Sequence, residues 1–131
     1  MHVGTLAALK LFGNRTRSVS GSVQLTAADI GKIILASAGA NVILPKICGV
    51  AGGTPAIGQG ATFTIVAYQT NTTLATPAVG SPDTFNGGQA FVNVDPLGFA
   101  NYGWAVFVSP GTSTAVSDWK VLNLDMDYLA P

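Results

Sequence analysis

A chain of 131 residues is long enough to bury a core of its own, and its single cysteine, Cys48, excludes an intramolecular disulfide. Only 9% of the residues are charged, against roughly 25% in an ordinary soluble domain, and six basic residues balance six aspartates with no glutamate present. So few charges at zero net sign argue against a nucleic-acid partner and leave copies of the chain little mutual repulsion, which favours association.

The chain opens on a basic stretch, since Lys10, Arg15 and Arg17 all precede the first acid, Asp29. Lys10 interrupts what would be the apolar centre of a signal peptide, so residues 1–20 are read as an extended N-terminal arm and 21–131 as a β-domain. Beyond the arm, β-branched and aromatic residues alternate with clusters of Gly, Pro, Asn, Ser and Thr. Strands are expected at Ser22–Leu25, Lys32–Ser37, Asn41–Leu44, Ala61–Gln69, Thr72–Ala75, Gln89–Val94, Gly103–Ser109 and Asp118–Leu124. About eight short strands suit an all-β domain, a β-sandwich or jelly-roll-like fold. One helical turn is expected at Thr26–Gly31, where Thr26 caps the first amides, Asp29 completes a capping box and Gly31 stops the turn. No run of apolar residues approaches the ~20 needed for a membrane-spanning helix, so no membrane partner is expected.

The faces of the strands carry the functional signal. Phe63, Ile65 and Ala67 share one side of their strand, while Val66 and Tyr68 lie on the other; Trp104, Val106 and Val108 oppose Ala105 and Phe107. Apolar side chains on both sides of a strand exceed what one interior can hide, so a second cover is expected, with Tyr68, Val66 and Phe107 as subunit contacts. The loops at 47–60, 76–88, 95–102 and 110–117 are long for so small a chain and are expected to serve docking.

No constellation for catalysis is apparent. The sole histidine, His2, stands one residue from the start, and the carboxylates Asp125 and Asp127 have no Glu or His to complete a site. Asp83 and Asp95, with Asn86 and Asn93 nearby, match no calcium-loop spacing, and hydrogen bonding within the loops is the plainer use of these residues. The glycine-rich stretch 49–60 lacks the Gly-Lys-Ser/Thr ending of a phosphate loop. Cys48 reads as a small buried hydrophobe, and Trp104 and Trp119 as core residues, with a sugar platform as the rival reading. No enzyme activity, cofactor or metal is expected.

The run Val23-Gln24-Leu25-Thr26-Ala27-Ala28-Asp29-Ile30-Gly31-Lys32, followed by Ile33–Leu35 and by Val42-Ile43-Leu44-Pro45, resembles a segment recurrent in bacteriophage fibre and capsid-decoration (cement) domains. The stretch Gly60-Ala61-Thr62-Phe63-Thr64-Ile65 is similar to its continuation. The resemblance implies a β-rich, often trimeric, structural or adhesive protein without catalytic residues. A basic arm before the β-domain suits a virion protein, assembled in the host cytoplasm, that attaches to a preformed shell of major capsid protein. Leu9, Lys10, Leu11, Phe12, Arg15 and Arg17 are the expected docking residues of the arm. A fibre-associated, glycan-binding domain that uses Tyr102, Trp104 or Asn101 is the competing expectation.

Overall fold

A computed structural model describes residues 15–37, 39–67, 73–94 and 103–123. These residues form an all-β body of two sheets with a single turn of 3-10 helix at Ala27–Asp29, so the class expected from the sequence is the class observed. The strands are β1 (Thr16–Val19), β2 (Ser22–Gln24), β3 (Ile33–Ala36), β4 (Asn41–Leu44), β5 (Thr62–Ala67), β6 (Leu74–Pro77), β7 (Thr84–Phe85), β8 (Val92–Asn93), β9 (Gly103–Val108) and β10 (Asp118–Asn123). A six-stranded sheet runs β1-β3-β5-β9-β10-β7, and a four-stranded sheet runs β2-β4-β6-β8.

From β1 to β9 consecutive strands alternate between the sheets, and β10 then stays beside β9. The chain leaves β1 and turns a corner at Gly21 (φ 63) into β2, then leaves β3 and turns again at Gly39 (φ 73) into β4. Both corners require the left-handed conformation that glycine adopts without steric cost. They stack directly, because the Ser37 amide donates to the Val19 carbonyl at 3.1 Å and the Asn41 amide to the Gly21 carbonyl at 2.8 Å. The result is a set of layers in which β1, β3 and β5 are parallel in one sheet and β2, β4 and β6 are parallel in the other. Parallel neighbours need a crossover. Here each crossover passes through the opposite sheet, and the one between β1 and β3 also contains the capped turn. Antiparallel β9 and β8 then close the stack against β5 and β6.

The capped turn forms as its residues dictate. Thr26 Oγ1 accepts from the Ala28 amide at 3.3 Å and Asp29 Oδ2 from the Thr26 amide at 3.0 Å, while Gly31 follows at φ 81. Asp29 also has a role outside the turn, because its buried carboxylate receives Arg17 Nη1 at 2.8 Å and lies 3.6 Å from Lys32 Nζ. Arg17 reaches it because it shares the inward side of β1 with Val19. Residues 16–19, expected within the arm, are thus an edge strand of the main sheet. Their polar sequence, Thr-Arg-Ser-Val, hides the alternation, and pairing with the apolar β3 supplies the strand.

One core lies between the sheets. Ile34, Phe63, Ile65, Phe107 and Trp119 enter it from the six-stranded sheet, and Val42, Leu44 and Ala75 from the four-stranded one. Two edge-to-face aromatic pairs lie within it, Phe63 against Trp119 (centroids 5.8 Å apart) and Phe85 against Phe107 (5.7 Å). Phe107 is therefore a core residue, a correction to its expected place among the subunit contacts. Its side of β9 packs on Phe85, which the sequence pattern had not marked as a strand.

Candidate interaction surface

The outward faces of the two sheets differ in chemistry. On the four-stranded sheet the outward positions are Ser22, Gln24, Asn41, Thr76 and Asn93, interrupted by Ile43 and Leu74. On the six-stranded sheet Ile33 and Leu35 of β3, Val66 of β5, Trp104, Val106 and Val108 of β9 and Leu122 of β10 all point outward.

The strand registers place these side chains side by side. One row runs Leu35, Val66, Trp104; the next runs Ile33, Thr64, Val106, Leu122. Leu122 is 62% exposed, and its row neighbours are half-buried by one another. Thr62, Thr64, Asp118 and Lys120 are the polar members on β5 and β10. A contiguous apolar sheet face of this kind is the usual mark of a contact surface, whereas scattered exposed side chains need no explanation.

Of the residues expected to make subunit contacts, Val66 is on this face, opposite Trp104, while Tyr68 lies outside the described residues. The sequence had assigned Trp119 and Trp104 alike to the core. Trp119 is there, fully buried, but Trp104 stands half-buried on the outward face, because Ala105 and Phe107 take the inward positions of β9. Of the docking arm, Leu9, Lys10, Leu11 and Phe12 lie outside the described residues, as do Asp95, Asn101, Tyr102, Asp125 and Asp127. Arg15 is exposed. Arg17 is held by Asp29, so its guanidinium supports the fold whatever else it meets.

The loops are bound to one another through Asp83, a residue the sequence marks for loop hydrogen bonding without disclosing its partners. Asp83 is buried, and its two oxygens accept the Ile47 amide at 3.1 Å and the Ser117 amide at 2.9 Å, which ties the loop before β7 to the loops after β4 and before β10. Ser109 Oγ donates to the Ile57 carbonyl at 3.0 Å, and the Gly52 amide to the Ser113 carbonyl at 2.6 Å. The partners of Asp83 are non-local and leave no signal in its neighbours. Replacing Asp83 with alanine strands both amides and should lower the unfolding free energy by about 2–6 kcal/mol, at ~1–3 kcal/mol for each buried donor left unpaired. A urea titration reads this directly. Among the described residues no cluster of His, Cys, Asp or Glu converges as metal ligands would, and no helix is long and apolar enough to cross a membrane. Cys48 is buried, with its thiol 3.1 Å from the Val50 carbonyl.

A second carboxylate clamp sits at the rim of the six-stranded sheet. Asp118 accepts from Thr84 Oγ1 at 2.8 Å, from the Gly87 amide at 2.9 Å and from Lys120 Nζ at 2.9 Å, and so holds the short β7 segment to β10. Burial is the largest single influence on its carboxyl and pushes it upward, but the hydrogen bonds from Lys120, Thr84 and Gly87 and the Lys120 charge together outweigh it and hold the carboxyl below its ordinary value. The ionised form is the one the fold favours. Its stabilising effect is therefore complete above the unfolded value of about 3.9 and is lost as pH falls through the lower folded value. The stability difference between the natural chain and Asp118→Asn should accordingly be constant from neutral pH down to the carboxylate range and shrink below it, as denaturation followed from pH 6 to pH 3 would reveal.

Comparison with known proteins adds no relative, since no family model, no curated protein and no solved structure matches the chain.

Proposed function

We propose that this chain is a virion structural protein, a bacteriophage capsid decoration or cement protein, whose sandwich-like β-domain associates with copies of itself and bridges subunits of the major capsid protein. The observation that carries this reading is the apolar outward face of the six-stranded sheet, set on a chain with very few charges. Burying that face removes apolar area from water, the non-directional driving force of most protein association. A trimer is the assembly proposed, located on the capsid surface, with the basic residues before β1 directed at the shell.

The protein acts in this reading by burial and not by chemistry, without a cofactor. Each subunit spans a joint between shell proteins, and modest contacts add up because binding at one site raises the effective concentration at the next. Binding to the assembled shell and not to its dissociated parts stabilises the shell by mass action. The likeness of residues 23–35, 42–45 and 60–65 to phage decoration and fibre domains supports the viral setting.

The purified chain added to undecorated heads should bind saturably and raise the temperature at which they rupture. A chain that neither self-associates nor binds heads would remove the proposal.

One observation favours a second reading, a fibre-associated domain that binds host glycans. Trp104 lies on the outward face opposite Val66 and diagonal to hydroxyl-bearing Thr64, a combination of apolar ring and polar group able to take a sugar. Binding of the isolated chain on a glycan array, lost in Trp104→Ala, would select that reading.

A further inference from the structure

Among the described residues, the stacked layers end on one side in β1 and β2, beyond which no described strand lies. β1 is the edge of the six-stranded sheet and β2 the edge of the four-stranded sheet, and because they are consecutive in the chain they lie at the same end of the stack. The hydrogen bonds fix which backbone groups face outward there. The carbonyls of Arg15 and Val19 accept from Ile33 and Ser37, and the carbonyl of Gly21 and the amide of Leu25 pair with Asn41 and Ile43. Within a parallel ladder the amide and carbonyl of one residue point to the same side and those of the next residue to the other. The amides and carbonyls of Ser18, Ser22 and Gln24 are therefore directed away from the body, where no described strand meets them.

Proteins usually blunt such an edge with lysine, proline, a bulge or a covering segment. The exposed residues of the two strands are Thr16, Ser18, Ser22 and Gln24, with Ser20 exposed between them and Arg15 exposed just before β1, so neither strand has an exposed charge or a proline within its own bounds. Arg17, the one charged residue of the two strands, is turned inward to Asp29. The opposite edges of the sheets, β7 and β8, are only two residues long and offer little to a partner.

We propose that the β1–β2 edge pairs with the same edge of a second copy of this chain, across a two-fold axis. Self-pairing suits this edge because it brings small neutral side chains against their own kind, so no like charges meet. A contact of this type is isologous and closed, which stops growth at two copies instead of forming a fibre. The inference rests on ladder geometry and stands whether or not the apolar sheet face acts as proposed above. In a decorated shell it would join one oligomer to its neighbour.

Proline tests it cleanly. At Ser18 and Gln24 the backbone amide is not used inside the molecule and the preceding residue is extended, so proline removes only the outward backbone donor and blocks the approach of a strand; at Gln24 it also removes the side-chain amide that donates to the Leu25 and Ile43 carbonyls, a loss the Gln24→Ala control shares. In the doubly substituted chain, Ser18→Pro with Gln24→Pro, the edge contact should weaken by tenfold or more, on the order expected for one or two backbone hydrogen bonds plus the obstruction. The controls Ser18→Ala and Gln24→Ala retain the backbone amides and should associate as the natural chain does. Hydrogen exchange on the unaltered protein gives an independent reading, since the Ser18, Ser22 and Gln24 amides should become protected as concentration rises. The proposal fails if those amides exchange equally fast at every concentration, or if a folded proline variant associates as tightly as the natural chain. Val106→Lys, which alters the sheet face and leaves the edge intact, separates the two contacts: it should spare the concentration-dependent protection of the edge amides.

Discussion

Replacing Phe107 with alanine is expected to cost the fold about 3–5 kcal/mol, the range for deleting a large aromatic from a packed core. Phe107 is fully buried, packs edge-to-face on Phe85 and lies beside Phe63 in the register of β5 and β9. The neighbours that would have to collapse into the space belong to three strands fixed by their ladders, so relaxation should be partial. The measurement is denaturant unfolding at a fixed protein concentration, together with the mass of the assembly under native conditions. A large loss of stability with the stoichiometry unchanged places the side chain in the core. Dissociation with little loss of stability would return it to a subunit contact.

The opposite pattern is expected one residue away. Val106 points outward between Thr64 and Leu122, near the middle of the apolar face. A lysine there can direct its ammonium into water when the subunit is alone, so the isolated fold should tolerate it. Inside a contact the same charge would be buried without a partner. That penalty reaches several kcal/mol, a loss of affinity on the order of a thousandfold. Val106→Lys should therefore give a folded subunit that no longer assembles through this face, as sedimentation across a concentration series would show.

These neighbouring residues mark where the sequence was legible and where it was not. The period of two in β5 and β9 identified both strands and sorted their side chains into correct sets. It did not say which set of β9 faces inward, because Trp104, Val106 and Val108 are as apolar as Ala105 and Phe107. That choice depends on Phe85, which belongs to a two-residue strand too short to show any period. The capped turn was readable because Thr26, Asp29 and Gly31 act on each other locally. For Asp83 the hydrogen-bonding use was readable but the partners were not, since Ile47 and Ser117 lie 36 and 34 positions away.

The stacked layers escaped notice for a related reason. Arg17 lies beside Ile34 and Ile34 beside Ile65, so successive layers are unequally spaced in the chain and no fixed period appears. Alternation is also silent on strand direction, and five of the eight ladders among the described residues are parallel. Composition bears most directly on the function proposed above: scarcity of charge predicts a surface in need of cover, and the outward face of the six-stranded sheet is apolar.

The most direct test of that claim is the native mass of the natural chain and of Val106→Lys, measured side by side over a concentration series. A closed oligomer for the first, and for the second the loss of the contacts made through the sheet face with the fold intact, is the predicted result. A natural chain that remains a monomer throughout, or a lysine variant that assembles identically, would contradict it.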